Sequence, residues 1–139
     1  MEFKRFRNKF VVRLDKGEEI VASIKRLCKE NKITLGSVSG IGAVDHAVIG
    51  LFETGTKTYH TKKLTGDMEI TCLAGNITEM EGEVYLHFHI TLTDHTYQAL
   101  GGHLTSAVIS GTAEIIVDVI EGSVDRAFSE EIGLNLLKF

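Results

Sequence analysis

The stretch Tyr85-Leu-His-Phe-His-Ile-Thr-Leu-Thr93 decides how this chain is read, because its side chains sort by parity into two opposite sets. Leu86, Phe88, Ile90 and Leu92 fall on one side of an extended backbone, and His87, His89, Thr91 and Thr93 on the other. That is the period-two signature of a strand with one face in a core. Two residues of strand rise put the Cα atoms of His87 and His89 about 6.6 Å apart on one side, a spacing from which two imidazoles can meet at one metal ion. Asp94-His95-Thr96 then reads as a polar three-residue turn that brings Thr93 opposite Tyr97. In that register His87 faces His103, Ile90 faces Leu100, Leu86 faces Leu104, and Phe88 lies over Gly102, whose missing side chain leaves room for the ring. His87, His89 and His103 could thus offer three nitrogens to one divalent ion at about 2.1 Å each. Imidazole donors favour zinc, and nickel, copper or iron could use the same ligands. A lone strand histidine is more often an ordinary surface or interface residue, and His46, His60 and His95 are read that way. Cys72 and Glu53 are further ligand candidates that no spacing singles out.

The segments on either side extend the β pattern. Stretches near 47–54, 57–64, 68–80, 83–93, 97–100 and 106–121 are rich in β-branched residues and separated by Gly, Asp or Asn, which predicts a mainly antiparallel sheet. Ser106 to Glu121 carries little charge, as expected of a strand covered on both faces by a helix or another subunit. The tail from Val124 to Phe139 is expected to add a last strand to the same sheet. Asp15-Lys16-Gly17-Glu18 has the D-x-x-E spacing of a helix N-cap, and Ile20, Val21, Ile24, Leu27 and Cys28 recur at helical spacing. One amphipathic helix over about 17–30 follows. Ser39-Gly-Ile-Gly-Ala-Val44 lacks the third glycine of a dinucleotide-binding loop and no capped helix follows it, so a glycine-bent or bulged strand is expected there. The whole is an α+β single domain over 1–139.

Composition sets the limits. The 139 residues fit one domain, and 43% apolar with 24% charged side chains is a globular balance. Cys28 and Cys72 form no C-x-x-C pair, which argues against a disulfide framework or zinc ribbon and for a cytoplasmic setting. No apolar run reaches the roughly 18 residues of a membrane span, and the charged N-terminus lacks a signal-peptide core, so neither membrane insertion nor secretion is expected. The net charge of −4 gives no global attraction to nucleic acid. Locally, however, Lys4, Arg5, Arg7, Lys9 and Arg13 face only Glu2 within residues 1–13. Phe6, Phe10, Val12 and Leu14 share one parity and Arg5, Arg7, Lys9 and Arg13 the other, so a single strand would carry a cationic face. That face is either a solvated, edge-guarding surface or a stripe for phosphates.

His87-Phe-His-Ile-Thr-Leu92, the later Gly101-Gly-His-Leu-Thr105, Ser39-Gly-Ile-Gly-Ala-Val44 and the helix after Arg13-Leu14-Asp15 together resemble the PPC (plants and prokaryotes conserved) domain over nearly the whole chain. The resemblance implies an α/β fold with a largely antiparallel sheet, assembled as a homotrimer. In plants the domain sits beside AT-hooks in nuclear DNA-binding proteins, and stand-alone prokaryotic members carry a DNA-binding label. This chain has no R-G-R-P hook and no proline, and where the plant surface motif reads G-R-F-E-I-L it has Gly102-His-Leu-Thr-Ser-Ala107. Three function classes therefore stand side by side. The first is a trimeric protein that binds a divalent metal through His87, His89 and His103. The second is a DNA-associated or protein-interaction module using Arg5, Arg7, Lys9 and Arg13. The third is a metal-dependent hydrolase of a small substrate, for which Glu53, Asp94 and Glu114 are unranked proton-transfer candidates.

Overall fold

The computed structural model describes residues 1–139. In chain order the elements are β1 (Glu2–Phe6), β2 (Lys9–Asp15), α1 (Ile20–Asn31), β3 (Gly36–Glu53), β4 (Thr58–Met80), β5 (Glu83–Thr93), β6 (Ala99–Val119), β7 (Asp125–Ser129) and β8 (Leu134–Lys138). Every pairing is antiparallel, and the main sheet runs β1-β2-β6-β3-β4-β5. An additional β5–β6 pairing closes β3, β4, β5 and β6 into a ring. With no proline to interrupt them, β3, β4 and β6 run 18, 23 and 21 residues and so take part in several pairings. Phe88, Ile90, Leu92, Leu73 and Ile115 fill the interior, and α1 lays Ile20, Ile24, Leu27 and Cys28 over one side. No helix is long and apolar enough to cross a membrane.

The expected helix is present but starts later, at Ile20. Asp15 to Glu18 forms a turn instead, with Gly17 at φ 87° and the Glu18 N–H donating to the Asp15 carbonyl. The Glu18 carboxylate does accept the Asp15 N–H, but the cap is Glu19, which accepts from the amides of Val21 and Ala22. The same carboxylate accepts the Ala107 N–H on β6, tying the helix start to the strand it packs on. Lys32 at φ 55° closes the other end.

β3 is bulged where expected, with register shifts between Gly40 and Gly42 and between Val44 and His46. Two other expectations are corrected. The basic N-terminal segment is a hairpin, not one strand, because the chain reverses at Arg7, φ 55°. Within one chain β6 buries Ala113, Ile115 and Val117 on its inner face and leaves Glu114 and Ile116 exposed, so the second cover expected for it would come from another subunit. The tail does not join the main sheet. Ring closure leaves no free edge beside it, so β7 and β8 pair with each other and the hairpin packs against β4.

Candidate metal centre

The strand parity read from the sequence holds. Phe88, Ile90 and Leu92 are almost wholly buried, and His87, His89 and Thr91 lie on the other face. The hairpin register does not hold. The β5–β6 connection is five residues, Asp94 to Gln98, so His89, not His87, stands opposite His103, Ile90 opposite Gly102 and Leu92 opposite Leu100. The longer turn has a local cause. The Asp94 carboxylate accepts from both the backbone N–H and the hydroxyl of Thr96, and Tyr97 takes a left-handed φ of 63°. A slip of two residues preserves parity, so all three histidines stay on one face.

Gly75 and Gly102 have different partners from those expected. A Cβ at Gly75 would lie 2.6 Å from Cδ1 of Phe88, so it is Gly75 that makes room for that ring. Gly102 instead faces Gly50, where a Cβ would meet the Gly50 carbonyl oxygen at 2.6 Å. The close approach lets His103 pass from its pairing with β5 to its pairing with Gly50 on β3. Tyr59 lies across Gly50 and turns its ring edge to His103, with centroids 6.0 Å apart.

The three imidazoles form a triangle. Ring centroids are 5.2 Å apart for His87–His89, 5.3 Å for His87–His103 and 5.7 Å for His89–His103. One ring nitrogen from each can be chosen so that all three lie within 4.8 Å of one another. A tetrahedral ion with nitrogens at about 2.1 Å sets them about 3.4 Å apart, a closure that small χ rotations supply. No protein hydrogen bond engages these rings. Burial, followed by the fields of His103, His89 and Arg126, lowers the pKa of His87; burial, followed by His89, lowers that of His103. Neutral imidazoles with free lone pairs are what a divalent ion requires, and the donor set fits one.

The other candidates lie elsewhere. Glu53 accepts from His60 and Thr56 at the β3–β4 turn, and its pKa is lowered by those two bonds. His46 pairs with Asp45, and Asp94 is committed to Thr96. His95 is exposed in the turn, Glu114 on the outer face of β6, and Cys72 on the outer face of β4. Arg5, Arg7, Lys9 and Arg13 do not share a face. Arg5 lies over the Phe10 ring at 5.4 Å and donates to the Arg7 carbonyl in the turn. Lys9 pairs with Asp118, and Arg13 with Asp15 and Glu2. Sequence reasoning missed Tyr59 and Arg126 beside the histidines, since each is far from them in sequence and no motif or spacing marks it.

The family model for the Plants and Prokaryotes Conserved (PCC) domain matches residues 1–121. No match is found among curated proteins. Among solved structures, a Bacteroides thetaiotaomicron protein described as a "putative DNA binding protein" is 38% identical at TM-score 0.97, covering 99% of this chain and 96% of its own. A metal-containing protein of Archaeoglobus fulgidus is 33% identical at TM-score 0.87, covering 99% and 97%. A plant- and prokaryote-conserved protein of Pyrococcus horikoshii is 29% identical at TM-score 0.87, covering 99% and 94%. With the matched model spanning all the elements from β1 through β6, the chain belongs to the Plants and Prokaryotes Conserved domain family.

Proposed function

We propose that this chain binds one divalent metal ion, zinc by its all-imidazole donor set, through His87, His89 and His103. The observation that carries the reading is the convergence of three imidazoles, one ring nitrogen of each within 4.8 Å of the others, on paired strands. The similarity to a metal-containing archaeal protein across almost the full chain supports it. Three protein ligands leave a fourth position for water or an exogenous group, the arrangement of catalytic rather than structural zinc sites. A bound zinc ion supplies Lewis acidity there, so hydrolysis of a small substrate is the enzymatic form of the same reading. The protein works as a cytoplasmic homotrimer in this proposal. Support for assembly comes from the outer sheet face, where Val11, Ile41 and Ile116 stay exposed around a groove of about 840 Å³. The test is elemental analysis of purified protein beside a His87→Ala, His89→Ala double variant. About one metal per chain in the wild type and none in the folded variant is the expected result; a wild type that stays metal-free after incubation with zinc overturns it.

A second reading, association with DNA, is favoured by the description attached to the Bacteroides relative. Arg5, Arg7, Lys9 and Arg13 would supply phosphate contacts from the N-terminal hairpin. Their existing partners weaken this reading, since Lys9 and Arg13 would have to exchange ion pairs for phosphates. Duplex binding that falls steeply with salt and drops when all four become alanine supports it; binding unchanged by those substitutions removes it.

A further inference from the structure

Arg126 carries a charge that the fold buries and does not neutralise. It sits on β7, beyond the residues that match the family model, and is only 7% exposed. Its Nε donates to the Thr78 hydroxyl at 2.8 Å, and Nη1 donates to the Asn135 carbonyl at 2.8 Å. The guanidinium carbon stands 4.6 Å from the centroid of the Tyr85 ring. All of these partners are neutral. None of the chain's ion pairs includes Arg126. Burying a cation is costly unless an opposite charge comes with it, and no carboxylate of this chain fills that role. Nη2 has no protein partner, yet no fully buried polar side-chain atom goes unsatisfied, so this nitrogen reaches solvent.

Its position sets that open donor beside the histidines. Tyr85 precedes His87 by two residues on β5 and therefore shares its face, one strand step of about 6.6 Å away. Thr78 pairs with Tyr85 and Asn76 with His87, so Arg126 sits at the next rung of the same ladder that presents the histidines. Exposed Asn76 lies between, with an amide free of protein partners.

We propose that Arg126 is the anion-recognising residue of the metal site. Its ligand is a small molecule with an oxyanion, a carboxylate or a phosphate, that pairs with the guanidinium while its other end reaches the ion. The planar fork of arginine suits both anions, and its place one rung along the ladder from His87 lets one small molecule reach both groups. This inference rests on the metal reading above.

The experiment uses full-length protein reconstituted with Co²⁺, whose visible spectrum reports the ion's surroundings. Succinate, butyrate and inorganic phosphate are titrated in parallel. Succinate and butyrate can both offer one carboxylate to the metal, and only succinate has a second for Arg126. In the wild type, succinate is expected to saturate the spectral change at a concentration at least tenfold below butyrate. In Arg126→Gln that advantage is lost while Co²⁺ stoichiometry is kept. Phosphate saturating below succinate would assign the guanidinium to a phosphate-bearing ligand; the reverse assigns it to a carboxylate. The comparison within the wild type needs no folded variant: equal saturation by all three anions overturns the role of Arg126, leaving the metal reading intact. Failure to take up Co²⁺ overturns both.

Discussion

At the scale of single residues, the centre depends on three imidazoles, and burial lowers the pKa of two of them, His87 and His103. Replacing His87, His89 or His103 by alanine should weaken zinc affinity at least a hundredfold by titration calorimetry, with the far-ultraviolet circular dichroism unchanged, because their face lies outside the core. The lowered pKa values of His87 and His103 also fix how the metal-free protein responds to pH. An unfolded histidine titrates at about 6.5, so below that value the unfolded chain binds protons that the folded chain refuses. The stability from these two groups is complete above that pH and is lost as pH falls through their lower folded values. Metal-free protein should therefore have a flat melting temperature from pH 8 to 7 and a falling one between about 6.5 and 5. His87→Gln should flatten part of that slope; an unchanged slope contradicts the assignment. The two cysteines differ in the same terms. Cys28 lies on the buried face of α1 with its thiol pushed up to about 12 by burial, and it should resist alkylation until the chain unfolds.

At the scale of elements, the site depends on how closely β4, β5, β6 and β3 approach. Gly75 is the point where β4 admits Phe88 of β5, and a Cβ there would come within 2.1 Å of the His87 carbonyl oxygen. Gly75→Ala should cost on the order of 1–3 kcal/mol in chemical denaturation. It should also weaken metal binding, since it displaces the backbone that carries His87; Gly55→Ala, which meets nothing within 4 Å, is the control and should do neither. Which histidines would share a face was legible in Tyr85–Thr93, because alternation survives any even error in register. Which histidine stood opposite His103 was not, because the turn length depended on Asp94 capping Thr96 and on Tyr97 accepting a left-handed φ. The helix was legible from the spacing of Ile20, Ile24 and Leu27, while its start was not: Glu19 acts as cap partly because it also reaches Ala107, 88 residues away. The N-terminal hairpin was hidden by a parity pattern that ran through its turn at Arg7.

At the scale of the whole molecule, ring closure and the open outer face define what remains to be covered. Row after row of the main sheet crosses that face, one running Lys4, Val11, Ile116, Ser39, Ala74 and His89 by register, so the apolar groove and the histidines are one continuous surface. The proposed homotrimer should give a light-scattering mass near three times the 15.3 kDa chain. If the groove is the surface between protomers, Cys72, which lines it and is exposed in the single chain, should react with maleimide slowly in the assembly and quickly once dilution dissociates it. Rapid labelling of an intact trimer would place the contact elsewhere. The tail was the least legible part of the chain: a last strand was expected from 124–139, but that it pairs with β7 and not with the main sheet was not marked by its residues.

The central claim is that His87, His89 and His103 converge on one ion, and X-ray absorption at the zinc edge of the reconstituted protein tests it most directly. The account predicts the multiple-scattering pattern of three imidazoles with nitrogen at about 2.0–2.1 Å, reduced by one imidazole in His103→Ala. A spectrum of oxygen ligands without imidazole scattering, or one that His103→Ala leaves unchanged, would contradict it.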